Sequence, residues 1–273
     1  MRLCSNLLNL AHNYAMKLAR IIGFHAVNAR LLRRASSVVE IYANQGRDDA
    51  RMQQLITQAE TAGVDITWVD TSRLKALAQS DDHQGVVALV EAGSDVASFE
   101  ESLEQALSRQ KKDGIDPLFL LLDQVQDPHN LGACIRSADA FGADAVILPK
   151  HGSAPLSAVA MKSASGATET TPVCSVNNLV ACIETLQAAG VWVLGAEMET
   201  EATLFNTKLT GPLAWVLGNE GKGLRRLTRE RCDALVAIPM QGQVESLNVS
   251  NAAAVCLFAT QAARQVPTTR AMK

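Results

Sequence analysis

With 273 residues, 48% apolar side chains and a formal net charge of −3, the chain is long enough for one large domain or two ordinary ones with real cores, and it is neither disordered nor fibrous. No run approaches the roughly 18 consecutive apolar residues that span a bilayer; Ser5, Asn6, Asn9, His12 and Asn13 break up the first twenty residues, so we expect no export signal, no membrane partner and a cytoplasmic protein. The net acidity argues against a nucleic-acid partner, but residues 1–51 carry Arg2, Lys17, Arg20, Arg30, Arg33, Arg34, Arg47 and Arg51 against Glu40, Asp48 and Asp49, a basic end that suits RNA and equally suits a solvated helix face.

From Ile21 to about Ala92 the pattern alternates helix-like and strand-like segments. Ala26 to Ala35 is periodic, Val38 to Tyr42 β-branched, Ala50 to Ala62 periodic, Ile66 to Val69 short and apolar, and Gly85 to Val90 a buried strand. We read a small α/β domain over 21–91, preceded by an extension over 1–20 that is either a basic arm or an over-long start. The polar stretch 92–116, with Gly93, Ser94, Ser98 and Arg109-Gln-Lys-Lys-Asp-Gly114, is read as a linker, although Leu103 and Leu107 allow a short helix there. From 117 to 267 we expect strands at 118–122, 145–148, 191–194, 214–217 and 234–238, alternating with helices at 131–141, 154–164, 177–189, 223–231 and 250–264. Continuous apolar strands alternating with helices imply a parallel sheet covered on both faces. Residues 268–273 are a polar tail.

Cys4, Cys134, Cys174, Cys182, Cys232 and Cys256 form no CxxC pair and lie at no metal-ligand spacing from a histidine, so we expect reduced thiols and no metal site.

Three motifs follow strands and enter turns or helices. The first is Asp123-Gln-Val-Gln-Asp-Pro-His-Asn-Leu-Gly-Ala-Cys-Ile-Arg136, in which Asn130 stands where a helix cap belongs and Leu131, Ile135 and Ala138 form an apolar face. Arg136 then lies on the helix after a parallel strand, at the edge where α/β folds bind ligands. The second, Trp215-Val-Leu-Gly-Asn-Glu-Gly-Lys-Gly223, matches neither phosphate-binding nor dinucleotide-binding fingerprints, and a carboxylate at Glu220 would repel phosphate, so the ligand group nearby should be uncharged or cationic. The third runs from Ala237-Ile-Pro-Met240 to Ser246-Leu-Asn-Val-Ser-Asn251. Ser250 or Asn251 can cap the helix that follows, which leaves polar side chains in excess of one cap.

Taken together, N-L-G-x-x-x-R, L-G-N-E-G-x-G and I-P-M-x-G-x-x-x-S-L-N-V-S resemble the SPOUT superfamily of S-adenosylmethionine-dependent RNA methyltransferases, in its TrmH (SpoU) branch of ribose 2′-O-methyltransferases, over residues 117–265. Residues 21–90, with Gly23-Phe-His-Ala-Val27 and His83-Gln-Gly-Val-Val87, resemble the L30e-like RNA-binding domain attached to many members. That arrangement is similar to members that modify a guanosine of 23S ribosomal RNA. The resemblance implies a deep trefoil knot and a homodimer that completes its active site at the interface. It also implies a cofactor, S-adenosylmethionine, lying against backbone of Leu217, Gly218, Ile238, Pro239, Met240, Leu247 and Asn248.

The same resemblance implies that Arg136 is central to catalysis. Because a guanidinium keeps its proton, we expect it to hold phosphate and stabilise developing alkoxide rather than act as a base. Glu220 is expected to orient Arg136 or Asn130, Asn130 to help position Arg136, and Asn248 with Ser246 and Ser250 to fix the loops and the substrate ribose. Lys162, Ser165 and Gly166 fall in a segment that borders substrate in relatives, and His129 is read as a turn residue. Asn219 and Lys222 depart from the residues common in the family, and we place both on the RNA surface, away from the chemistry. The alternatives are a methyltransferase acting on transfer RNA or another ribosomal site, and a catalytically silent RNA-binding protein of the same fold.

Overall fold

In the computed structural model the chain forms two compact units that divide between residues 95 and 96. The structure describes residues 18–79, 81, 83–91, 96–198, 200–244 and 246–265. Most of the expected extension, Cys4 and the tail after 265 lie outside the described residues.

The first unit runs β1 (Leu18–Ile22), α1 (Phe24–Arg34), β2 (Val38–Asn44), α2 (Ala50–Ala62), β3 (Ile66–Val69), α3 (Thr71–Ala78) and β4 (Val86–Glu91). Its sheet has the order β1-β4-β2-β3, with β4 antiparallel to both neighbours and β2 parallel to β3. Asp49 starts α2 by accepting the amides of Arg51 and Met52, and Gly63, at φ 67°, ends it. The sequence reading lacks β1 and α3. β1 is an edge strand with half-exposed Leu18, and α3 is one short helix held by the Asp70 cap and by burial of Leu74 and Ala78.

The second unit contains β5 (Val96–Ala97), α4 (Phe99–Asp113), β6 (Leu118–Leu122), α5 (Pro128–Ala140), β7 (Ala145–Pro149), α6 (Ala158–Ser163), β8 (Val173–Val176), α7 (Leu179–Ala188), β9 (Trp192–Ala196), β10 (Leu213–Leu217), α8 (Arg226–Arg231), β11 (Ala234–Val236) and α9 (Val249–Gln265). The stretch read as a linker therefore holds a strand and a helix of this unit. Ser98 caps α4, Glu100 and Glu101 occupy its first turn, Lys111 and Lys112 its last, and Gly114 follows at φ 69°. The polar run is the solvent face of an amphipathic helix whose Phe99, Leu103 and Ala106 are buried.

Seven strands form one sheet in the order β11-β9-β10-β6-β7-β8-β5, and every described pairing is parallel. Both faces are covered. Leu118, Leu120 and Leu122 join one core with Leu213, Trp215 and Leu217, while Phe119 and Leu121 join the other with Ala214 and Val216. The expected α/β class with a buried parallel sheet is the architecture found.

Two contacts fix α9, which carries the third motif at its start. The buried Trp215 donates from Nε1 to Thr260 Oγ1 at 2.9 Å, and Arg264 reaches the carbonyls of Asp116, Pro117 and Gly211 at 3.1, 2.7 and 2.8 Å. The helix is thus anchored to β10 at its middle and to the entry of β6 at its end.

Candidate active site

The three motifs leave the carboxyl ends of β6, β10 and β11 and converge on one carboxylate. Leu122 and Leu217 are paired at the last rung between β6 and β10, and the amide of Asp123 donates to the Leu217 carbonyl at 2.7 Å, so the first two motifs start side by side. The fully buried Asp123 carboxylate accepts from the Arg225 amide at 3.0 Å and from Arg225 Nε at 2.6 Å. Asp123 thereby holds both ends of the glycine-rich segment, and its buried charge is paired. Gly218 is required by close approach, since a Cβ there would sit 2.2 Å from the carbonyl carbon of Gly223.

Glu220 Oε1 accepts from Asn130 Nδ2 at 2.7 Å, from Asn248 Nδ2 at 2.6 Å and from the Val249 amide at 3.3 Å. Asn248 Nδ2 also reaches Asn130 Oδ1 at 3.0 Å. One carboxylate therefore joins all three motifs, and it stands at the start of α9, where the helix dipole favours negative charge.

The capping assignments differ from expectation in a way that explains this cluster. Asp127 caps α5, accepting the His129 amide, with Pro128 at the first helical position. Asn130 is thus released from capping. On α9 the cap is Asn248: its Oδ1 accepts the Ser250 amide at 2.9 Å and Ser250 Oγ at 2.6 Å, and its carbonyl accepts the Ala252 amide at 2.9 Å. Neither Ser250 nor Asn251 is the cap.

Arg136 stands apart from the cluster, more than one turn further along α5 and exposed. Among the described residues it makes one hydrogen bond, from Nη1 to Ser165 Oγ at 3.5 Å. Asn130 is paired with Glu220 and Asn248 rather than with Arg136. Ser165, with φ 52°, and Gly166 form the turn that ends α6, and α6 is pressed against α5 at Gly132, where a Cβ would lie 2.3 Å from the Ala160 carbonyl oxygen. His129 is the second residue of α5 rather than a residue of the turn before it, and its carbonyl accepts from Ser163 Oγ at 3.0 Å. Ser246 is exposed and shows no bond to the cluster among the described residues.

A pocket of about 300 Å³ lies beside the carboxylate, lined by Val125, Gln126 and Asp127 as one wall, by Asn219, Glu220 and Gly221 as another, and by Asn130 and Val249. Asn219, expected away from the chemistry, is one of the residues lining this pocket, and its side chain bonds to the Gln124 carbonyl at 3.2 Å. Around the third motif, Ile238, Pro239, Met240 and Leu247 are half-buried, and residues 238–244 and 246–247 make no backbone–backbone hydrogen bond among the described residues. That leaves amides and carbonyls beside apolar side chains, a surface suited to an uncharged heterocycle.

The described cysteines are free, and four of them are buried. Burial pushes the Cys134 thiol up to about 12, with the Glu220 charge adding to the effect, and pushes Cys256 up to about 12 as well. Among the described residues no cluster of His, Cys, Asp or Glu could hold a metal ion, and no helix is long and apolar enough to cross a membrane.

Residues 117–258 match the SpoU rRNA Methylase family, and residues 20–95 match the RNA 2′-O ribose methyltransferase substrate-binding family. The chain is 51% identical to the 23S rRNA (guanosine-2′-O-)-methyltransferase RlmB of Ralstonia nicotianae, over 90% of this chain and 95% of that protein. It is 46% identical to RlmB of Neisseria meningitidis, over 89% of this chain and 95% of that one. Among solved structures, AviRb, a SpoU methyltransferase from Streptomyces viridochromogenes in complex with AdoMet, shares the fold with a TM-score of 0.72 at 24% identity, over 94% of this chain and 96% of that one.

Proposed function

The chain belongs to the SpoU rRNA methylase family, and on that footing we propose that it transfers a methyl group from S-adenosylmethionine to the ribose 2′-hydroxyl of a guanosine in 23S ribosomal RNA. The substrate assignment rests on relatives matched over nearly their whole length, including the domain matched to substrate binding. The chemistry rests on one observation above all: Glu220 Oε1 gathers Asn130, Asn248 and the Val249 amide beside a pocket at the strand ends.

The residues fit the cofactor. The backbone at Ile238 to Met240 and at Leu247, which has no backbone partner among the described residues, suits adenosine together with the strand end at Leu217 and Gly218, and the Glu220 carboxylate favours a sulfonium and disfavours phosphate. Bound there, S-adenosylmethionine supplies an electrophilic methyl group. The chain's own task is to present the 2′-hydroxyl in line and to lower the cost of its developing charge. Arg136 suits that task, because its exposed fork can hold the neighbouring phosphate and face the alkoxide at once. Asn130, Glu220 and Asn248 position the walls, and Ser246 is assigned to the substrate ribose.

The reading includes a trefoil knot formed by the segments after β10 and β11, an L30e-like fold for the first unit and a homodimer that completes the site. Supporting the dimer, α9 presents Val255 and the 60% exposed Phe258, which stacks edge-on against Phe141 at 6.0 Å between ring centroids. Titrating S-adenosylmethionine into the folded protein by calorimetry, followed by methyl transfer to 23S and transfer RNA transcripts, tests the proposal. Absence of cofactor binding would favour a silent RNA-binding protein, and transfer to tRNA alone would move the substrate.

A further inference from the structure

The two walls of the pocket belong to different motifs, and one side chain joins them. Asn219 donates from Nδ2 to the Gln124 carbonyl at 3.2 Å and accepts at Oδ1 from the Gly221 amide at 3.0 Å. Its backbone also exchanges hydrogen bonds with Gly223: the Asn219 amide reaches the Gly223 carbonyl at 3.1 Å, and the Gly223 amide reaches the Asn219 carbonyl at 2.8 Å. Glu220 is therefore a corner residue of a turn closed by both the backbone and the side chain of its neighbour. Without those closures, a carboxylate on an exposed turn with glycine on its far side would sample many backbone conformations.

The acceptor, which immediately precedes the opposite wall in the chain, is itself unusual. Gln124 holds a left-handed backbone at φ 64°, a conformation that a residue with a Cβ keeps only when its surroundings fix it. The bond from Asn219 is one such constraint, and the Asp123 amide on the Leu217 carbonyl is another. A single carboxamide thus sets the separation of the walls and the corner on which Glu220 stands.

Resting on the methyltransferase reading above, we propose that Asn219 is a positioning residue for methyl transfer that acts through Glu220. It holds the Val125 to Asp127 wall against the glycine turn and keeps Glu220 Oε1 within reach of Asn130, Asn248 and the Val249 amide. Alanine in its place leaves the Gln124 carbonyl and the Gly221 amide to water and frees the turn.

Two measurements on the full chain test this. In the first, amide hydrogen exchange compares the wild type with Asn219→Ala. Gly221 loses its acceptor directly, but among the described residues the Val249 amide is held only by Glu220, so its exchange should accelerate by about tenfold at an unchanged melting temperature. Unchanged exchange at Val249 would overturn the proposal. Should Asn219→Ala fail to fold, Asn219→Asp keeps the acceptor for Gly221 and lacks the donor to Gln124; the same acceleration at Val249 is expected, and its absence overturns the proposal equally. In the second, kcat and KM are measured for Asn219→Ala, Glu220→Ala and the double variant. Asn219→Ala should lower kcat by about tenfold with KM for RNA and cofactor nearly constant, and should add less than about twofold in the Glu220→Ala background. Additive losses would show that Asn219 does not work through Glu220. The exchange measurement needs neither RNA nor cofactor, so it decides the role of Asn219 even if the wild type transfers no methyl group, an outcome that would sink only the functional reading.

Discussion

Glu220 and Asn130, ninety residues apart in the chain, meet at 2.7 Å between a carboxylate oxygen and an amide nitrogen. Because Glu220 also accepts from Asn248 and the Val249 amide, removing its carboxylate unties three motifs at once. Glu220→Ala should lower kcat by about 10²-fold, the cost of misplacing a catalytic constellation by about an ångström. The side chain is exposed, so the melting temperature should move little. Steady-state methyl transfer with a parallel thermal melt checks both; a large fall in melting temperature would recast Glu220 as a structural residue.

In the proposed mechanism, Arg136 is the residue whose task requires a planar fork. Arg136→Lys keeps the charge and loses bidentate contact with phosphate, and turnover should fall by about 10²-fold while cofactor affinity stays constant. Single-turnover kinetics with calorimetric binding separates the two. Near-wild-type turnover would count against the clamp.

The contact between α5 and α6 leaves no room at Gly132. A Cβ there would lie 2.5 Å from Ser163 Cβ and 2.9 Å from the Ala164 nitrogen, besides the Ala160 oxygen already named, and the atoms concerned are mostly backbone. Gly132→Ala should cost about 1–3 kcal/mol by overpacking and shift the Ser165 turn that meets Arg136. Denaturant unfolding is the measurement, and an unchanged midpoint would mean that the helices part freely.

Much of this was legible in the sequence, for identifiable reasons. The strands from Leu118, Ala145 and Ala214 are unbroken apolar runs, because both faces of the sheet are covered, and Asn130, Glu220 and Asn248 stand in motifs with unusual polar content at strand ends. What escaped notice involves weak local signals. β8 (Val173–Val176) pairs through backbone that composition does not mark, and α4 hides a buried stripe of Phe99, Leu103 and Ala106 under a charged face. Within the site, Asn130 and Asp127 compete for one cap, and in the folded chain Asp127 takes it, with Pro128 at the first helical position. The signal for Asn219 was present, as an Asx residue two positions before a glycine amide it could accept, but its partner Gln124 lies 95 residues away.

The buried thiols make a pH prediction. Cys134 and Cys256 are held protonated up to about 12, whereas an unfolded thiol ionises near 9.0. Between these values the unfolded chain binds fewer protons than the native one, so stability present below pH 9 is lost as pH rises toward 12, by up to about 1.4 kcal/mol per pH unit for each thiol. Urea unfolding midpoints should decline above pH 9. By the same reasoning, iodoacetamide at pH 7.5 should leave Cys134 and Cys256 unmodified in the native chain, and labelling at the rate of a free thiol would contradict their burial.

On the proposed function, this chain methylates a ribose in 23S ribosomal RNA with Arg136 at the reacting centre. The decisive measurement maps 2′-O-methyl groups in ribosomal and transfer RNA from cells with the gene, without it, and complemented with Arg136→Ala. One guanosine of 23S ribosomal RNA should lose its methyl group on deletion, regain it with the wild-type gene and fail to regain it with the variant. An unchanged 23S methylation map in the deletion strain would contradict the account.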